Sequence, residues 1–337
     1  MALLGENRPS QSHDIDKKKK RRTRMKHLFI VNPAARQGNR TTFATTLIKQ
    51  TFERREAEYE IYITRGPGDG AQKIAHDAKY EGDLRVYACG GDGTVNECAS
   101  ACVGLPNVAM TVFPCGTGND FVKQFGHEQG KFMNIGALVD GEISPLDIMR
   151  VNDHYSINVC CIGLDSRVGA GVHDFDKVPI IGKGKGAYIA SVANHVFRRI
   201  TDKLSIRING QIVTGEFNTV TVCNGSWYGG SFNPVPEARA DDGKLDVLLI
   251  SGVKHHQLPV LLTKYGKGKY KELPQFAKHY STTKMVIESE DEMVINIDGE
   301  SIYSNRCEIK LIPGGLRFLH PKGMAYFENC EKAETNA

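Results

Sequence analysis

The sequence predicts a three-layer α/β domain followed by an antiparallel β-sandwich. Three observations predict it. From residue 25 to about 140, apolar strand-like runs alternate with helical stretches, the pattern of right-handed βαβ units around a parallel sheet. From about Gly141 that rhythm gives way to short alternating runs separated by turns such as Asn209-Gly210 and Asp242-Gly243, as in antiparallel hairpins. And 337 residues are enough for two cores. The expected division is a basic extension over 1–24, the α/β domain over 25–140, the sandwich over 141–316, and a tail over 317–337 that packs back on the first domain or frays.

The elements follow in order. Residues 26–31 read as a strand, 32–38 as a turn-forming loop and 41–54 as a helix. Next come a strand at 58–64, a loop at 65–70 and a helix at 71–80. The apolar run 84–89 reads as a buried strand, 94–103 as a helix ending near Gly104, and 108–113 as a strand feeding the loop 114–120. The loops 32–38, 64–70, 90–94 and 114–119 each follow a strand. Ligands of such a sheet gather at the carboxyl ends of its strands, so all four loops should face one crevice. In the second half, strands are expected at 144–151, 155–162, 204–208, 211–223, 244–250, 284–289, 293–297 and 308–313. A helix near 186–199 and the stretch 254–276 interrupt them.

The chain is organised around Gly90-Gly91-Asp92-Gly93-Thr94-Val95-Asn96-Glu97. Three glycines in four residues bring bare backbone to a strand–turn–helix corner, where amides and the helix dipole favour a phosphate. Asp92 would repel phosphate unless a cation lay between, so it argues for a magnesium nucleotide. The plainer alternative is a tight turn with a solvated aspartate. Two looser matches, Gly66-x-Gly68-x-x-Ala71 and Gly182-x-Gly184-x-x-Ala187, lack the acidic residue that a dinucleotide fingerprint requires. No Gly-x-x-x-x-Gly-Lys-Ser/Thr is present.

Two acidic turns stand out in the second half. Asp241-Asp242-Gly243-Lys244 follows a proline-containing loop. A carboxylate among turned carbonyls holds a hard cation, or the segment is a simple hairpin turn. Asp298-Gly299-Glu300 follows the alternating strand 293–297. There a carboxylate projecting into a cleft can accept a hydroxyl proton, or again the segment is only a turn.

Composition narrows the class. No apolar run approaches the roughly 20 residues that span a bilayer, and no signal-type apolar region opens the chain. Nine cysteines without a C-x-x-C pair fit packed, inert thiols in a reducing compartment. The net charge of +4 hides an asymmetry: residues 1–26 hold nine Lys/Arg against three acids, leaving the remainder at −2. The run 17–24 suits anionic lipid headgroups. It lacks the interleaved aromatics of a nucleic-acid binder, and Met25 offers an alternative start.

With Gly90 to Glu97, Pro114-Cys115-Gly116-Thr117-Gly118-Asn119-Asp120-Phe121, Asp241-Asp242-Gly243-Lys244-Leu245-Asp246 and Asp298-Gly299-Glu300 in this order, the chain resembles the soluble diacylglycerol-kinase-type lipid kinases of bacteria. The resemblance covers residues 25–321. Its first motif is shared with NAD kinases and sphingosine kinases; the first two together are highly specific. It implies a Rossmann-like, NAD-kinase-like first domain and ATP bound between the domains. The matching nucleotide-binding positions are Asn32, Pro33, Ala34, Ala35, Arg36, Thr64, Gly90, Gly91, Asp92, Gly93, Thr94, Val95, Asn96 and Thr117. Asp298 would be the general base on a lipid hydroxyl, with Glu300 supporting it or the magnesium network. A structural magnesium would sit on the Asp242 carboxylate and the carbonyls of Arg239 and Lys244. Ala34-Ala35-Arg36 and Lys244 depart from the usual family residues at their positions.

The expected activity is therefore ATP- and magnesium-dependent phosphorylation of a lipid alcohol, with diacylglycerol the leading acceptor. The expected setting is the cytoplasm, peripheral to the inner face of the membrane, with no nucleic-acid partner and with edge-strand pairing a route to a homodimer. The rivals are an NAD kinase, a sphingoid-base kinase and a nucleotide-binding regulator without catalysis. Candidate membrane-docking loops are 178–181, flanked by Lys177, Lys183 and Lys185, and 264–271; the plainer reading of either is a solvated basic loop.

Overall fold

The computed structural model describes residues 25–34, 39–80, 82–175 and 200–328. The basic arm, Ala35 to Gly38, the loop bearing Lys177 to Lys185, the expected helix 186–199 and residues 329–337 lie outside these.

The first domain is built on four parallel strands, β1 (Met25–Val31), β2 (Glu58–Ile63), β3 (Asp83–Gly90) and β4 (Val108–Pro114), in the order β4-β3-β1-β2. β1 and β4 are near-continuous apolar runs, buried over almost their whole length, as strands covered on both faces must be. The covering helices are α1 (Asn39–Phe52), α2 (Asp69–Tyr80) and α3 (Asp92–Cys102). Short helices α4 (Asp120–Lys123) and α5 (Ile135–Val139) flank a 3-10 turn over Gly126–Met133. Because the four strands are parallel, their carboxyl ends share one edge.

The second domain is antiparallel throughout. After β5 (Glu142–Val151) and β6 (His154–Ser156) come β7 (Val159–Gly163), the helix α6 (Leu164–Phe175), β8 (Asp202–Ile208) and β9 (Gln211–Cys223). β10 (Leu245–Ser251), the helix α7 (Leu258–Gly266), β11 (Ala277–Thr282), β12 (Lys284–Ile297) and β13 (Glu300–His320) complete it. Two long strands turn the sandwich on itself. β9 pairs with β8 through its first half and with β7 through its second, and β12 does the same with β8 and β7. They enclose a core of Val220, Val222, Ile287, Ile295 and Ile309.

β13 joins the two domains. Its first part pairs with β12, its last residues with β5, and Phe318 stands beside Met110 of β4. Phe318, Met324, Tyr326 and Phe327 then pack into the first core around Phe125 and Phe132. The eight cysteines among the described residues are buried and form no disulfide.

That first core also holds a buried histidine. His27 on β1 bonds the Tyr87 hydroxyl at 2.7 Å, and burial, helped by Arg85 and Arg55, pushes its imidazole down to about 4. Unfolded, the ring takes up a proton near pH 6.5. Its contribution is therefore complete above that pH and is lost as pH falls toward 4, by on the order of 3 kcal/mol. The stability difference between wild type and His27→Gln, from urea melts, should shrink from pH 7.5 to pH 4.5; a constant difference would contradict this.

Candidate active site

β3 delivers Gly90 and Gly91 to the shared edge. Gly91 is extended (φ −93°, ψ −170°) and begins α3 without a side-chain cap. The first amides of α3 therefore sit at the positive end of a helix with no carboxylate or hydroxyl from the cap on them. The α2 corner is different. Asp69 accepts from the Arg65 amide at 2.8 Å, and Glu97 accepts from the Ala71 amide at 3.0 Å. Gly70 makes room for that contact, since a Cβ there would lie 2.9 Å from Glu97 Oε1. The carboxyl ends of all four strands line one edge, but α2 already carries two carboxylates at its start. Of these two helices, α3 is the one open to an anion.

The second glycine loop packs directly on the first. The Cys115 and Gly116 amides donate to the Gly90 carbonyl at 2.9 and 3.1 Å. A Cβ on Gly116 would lie 2.3 Å from Gly91 Cα. Asn119, at φ +49°, closes the loop by bonding both the amide and the carbonyl of Gly116, a left-handed position that asparagine tolerates. Thr117 is exposed at its tip. Asn32 reaches across from β1, donating to Thr94 Oγ1 at 3.0 Å and accepting from the Ala34 amide at 2.9 Å. Pro33 and Ala34 are exposed, the Thr64 amide bonds Val31 O, and Val95 is buried in the core. Ala35 and Arg36 fall outside the described residues.

Asp92 stands between the two loops. Its Oδ1 accepts from the Asp120 amide at 2.6 Å, and its Oδ2 lies against Gly118, where a Cβ would come within 2.4 Å. Burial, with the charge of Asp120 adding, raises its pKa. A half-buried carboxylate held above its ordinary range gains from a nearby cation.

The domains meet at Asp298. It occupies the β12–β13 turn at φ +49° and points inward. Oδ2 accepts from the Ile157 amide at 2.8 Å and the Asn158 amide at 3.4 Å, and Oδ1 from the Val159 amide at 2.8 Å. With its amide nitrogen turned toward the sandwich, Asn96 of α3 donates to Asp298 Oδ2 at 3.0 Å and to Tyr155 O at 3.3 Å. The glycine motif and the distant carboxylate thus touch. Burial pushes the Asp298 carboxyl up to about 6, while the backbone amides, foremost that of Val159, pull the other way. Glu300 is exposed at the start of β13; the groups bonded to the Asp298 carboxylate are Asn96 and the 157–159 amides.

Two residues that sequence reasoning left without a role close the junction. Asp120 accepts from the Gly230 amide at 2.8 Å, while Lys123 bonds both Asp120 and the Gly230 carbonyl at 2.6 Å. Asn158 carries Asp298 on its own amide and donates its side chain to Trp227 O. Asp120 was visible in the second motif; nothing around Asn158 marks it.

The acidic turn at 241–244 is less suited to a metal. Arg239 is committed to Asp241 at 2.9 and 2.8 Å and to Tyr326 O at 2.7 Å. Asp147 accepts from the Gly243 and Gly314 amides, both at 2.8 Å. Burial pushes Asp242 up to about 6, and its nearest cation is the Lys244 ammonium at 3.4 Å. Among the described residues no group of three or more His, Cys, Asp or Glu side chains is placed to hold a metal. A structural magnesium here would rest on one carboxylate plus backbone carbonyls and would compete with Lys244. These side chains do not form a closed metal site.

Two family models match the chain: the diacylglycerol kinase catalytic domain over residues 26–151, and the YegS C-terminal NAD kinase beta sandwich-like domain over residues 158–320. The chain belongs to the diacylglycerol-kinase-type lipid kinase family. A "Probable lipid kinase YegS-like" from Shewanella frigidimarina (strain NCIMB 400) is 27% identical over 248 residues, covering 70% of this chain and 76% of that protein. A crystal structure described as a "putative diacylglycerol kinase" from Bacillus anthracis str. Sterne superposes with a TM-score of 0.69 at 26% identity, covering 88% of this chain and 97% of that one. The α/β domain and sandwich of this lipid kinase are those of its family. Among the described residues no helix is long and apolar enough to cross a membrane.

Proposed function

We propose that this chain transfers the γ-phosphoryl group of ATP to the hydroxyl of a lipid alcohol, with diacylglycerol giving phosphatidic acid as the leading case. The observation that carries the reading is the contact between Asn96 and Asp298. It sets the uncapped start of α3 and a half-buried carboxylate on the same junction, where a phosphate and an acceptor hydroxyl have to meet.

The chain's own residues divide the work. The α3 amides and the bare backbone of Gly90, Gly91 and Gly93 cradle the phosphates. Asn32 holds Thr94 in place at the edge of that cradle. Magnesium carried by the nucleotide would neutralise charge close to Asp92. Asp298 orients the lipid hydroxyl and accepts its proton; a carboxyl near pKa 6 suits a general base at neutral pH. Asn96 holds Asp298 in position and couples it to α3.

Two measurements test this. ATP consumption should rise with dispersed diacylglycerol and stay at background with NAD. Stimulation by NAD, or by no hydroxyl acceptor at all, would replace the reading with NAD phosphorylation or with nucleotide binding alone. Asp92→Ala should raise the magnesium concentration needed for half-maximal rate by roughly tenfold or more; an unchanged magnesium dependence would remove Asp92 from the cation's surroundings.

A further inference from the structure

The helix α7 presents a face that the site does not use. Leu258, Leu261 and Tyr265 are buried against the sandwich. Pro259, Val260 and Thr263 point outward, and Val260 is 59% exposed. Lysines bracket this face: Lys254 before it, and Lys264, Lys267, Lys269 and Lys271 at its end. The acids beside them are Glu272, paired with Lys264 and Lys269, and Glu237, paired with Lys271. Five lysines against two carboxylates leave the patch positive.

Its position matters as much as its charge. The Asn233 amide bonds Gly266 O at 3.0 Å, and the Phe232 ring lies against Gly266. The Tyr265 and Tyr228 hydroxyls are 2.9 Å apart and share Asp165. The same 228–232 hairpin donates the Gly230 amide to Asp120, and Trp227 just before it is held by Asn158, beside Asp298. One short loop therefore runs from the proposed base to the foot of α7.

We propose that α7 and its flanking lysines dock on an anionic bilayer surface, holding the mouth of the interdomain junction against the membrane that carries the acceptor. This rests on the lipid-kinase reading for its purpose, though not for its geometry. An exposed aliphatic residue ringed by lysines matches the interfacial zone, where apolar side chains enter the headgroup boundary and ammonium groups stay with the phosphates. Each basic residue near such a surface contributes a factor of about five in binding.

The test is flotation of the full-length chain with phosphatidylglycerol–phosphatidylcholine vesicles and with phosphatidylcholine alone, with wild type, Val260→Asp and the double variant Lys267→Glu/Lys269→Glu. Activity on a water-soluble short-chain diacylglycerol is measured in parallel. Both variants should bind anionic vesicles roughly tenfold or more weakly, the lysine variant should also show a shallower salt dependence, since the run 17–24 and the remaining lysines still contribute to it, and short-chain turnover should stay at the wild-type level. Unchanged vesicle binding in both variants would overturn the docking surface while leaving the kinase reading intact. A change of oligomeric state by light scattering, in place of a change in vesicle binding, would assign the face to a second copy and overturn it too. Weakened vesicle binding without lipid phosphorylation by wild type would keep the surface and remove the activity.

Discussion

Replacing Asp298 by alanine should lower the turnover of lipid phosphorylation by roughly 10²- to 10⁴-fold, the usual cost of losing a general base. Magnesium-ATP binding should persist, because the α3 amides and the Gly90–Gly91 backbone remain. The substitution leaves the 157–159 amides and the Asn96 side chain without their acceptor, so a lowered melting temperature should accompany it, at about 1–3 kcal/mol for buried donors left unpaired. Asp298→Asn is a subtler variant than its isosteric shape implies. Oδ1 and Oδ2 both face donors, so an amide nitrogen in either place meets an N–H group. That variant should also lose stability, and its residual rate is to be read against its melting curve. In the wild type, a carboxyl pushed up to about 6 by burial works as a base only when ionised, so the rate should climb as pH rises through about 6 and level off above. A turnover indifferent to Asp298→Ala, or a flat profile from pH 5 to 8, would remove the residue from the chemistry.

Gly116→Ala should be nearly as damaging by a different route. Its Cβ would stand 2.3 Å from Gly91 Cα, and backbone cannot swing aside as the end of a side chain can. One glycine loop must part from the other, which disturbs the Gly90 carbonyl bonds and the Asp92–Asp120 contact that hold the corner. Overpacking of this kind typically costs about 1–3 kcal/mol, and here it displaces the amides meant for phosphate. Calorimetric titration should show magnesium-ATP affinity falling by at least roughly tenfold. Gly130→Ala, outside both glycine loops and with nothing within 4 Å of its Cβ, serves as the control and should bind far closer to wild type. Equal affinity in Gly116→Ala and wild type would mean that the two loops do not jointly form the phosphate site.

The first domain was legible because three of its four strands, β1, β3 and β4, are buried along nearly their whole length, while β2 at the edge is only partly covered. Such strands read as largely apolar runs, β3 and β4 closing on Gly90 and Pro114, and β1 to β4 lie within about two residues of where the sequence puts them. The sandwich was harder. The charged stretch Glu290-Asp291-Glu292 reads as a break between strands at 284–289 and 293–297. It is an outward irregularity inside β12, where the register shifts between Glu288 and Met293. Likewise Pro313-Gly314-Gly315 reads as a strand end, yet β13 continues through it by a shift between Ile312 and Leu316. A bulge spends one or two residues without ending the ladder, and local sequence does not distinguish that from a turn.

The site divides the same way. The glycine corners and Asp298 announce themselves by residue type and by their place at strand ends. The bond from Asn96 to Asp298 does not, since it depends on which face of α3 looks at a turn some two hundred residues further on. The closed start of α2 was equally hidden. Glu97 looks like part of the glycine motif, but its carboxylate serves the neighbouring helix. At the expected metal turn, residue order alone does not show that the Lys244 ammonium folds back to within 3.4 Å of the Asp242 carboxylate.

The most direct measurement is a crystal structure of the wild-type chain with magnesium and a non-hydrolysable ATP analogue. The account predicts the triphosphate on the amides at the start of α3, its terminal phosphate turned toward the Asn96–Asp298 junction. A triphosphate seated at α2, or one whose terminal phosphate faces away from Asp298, would contradict it.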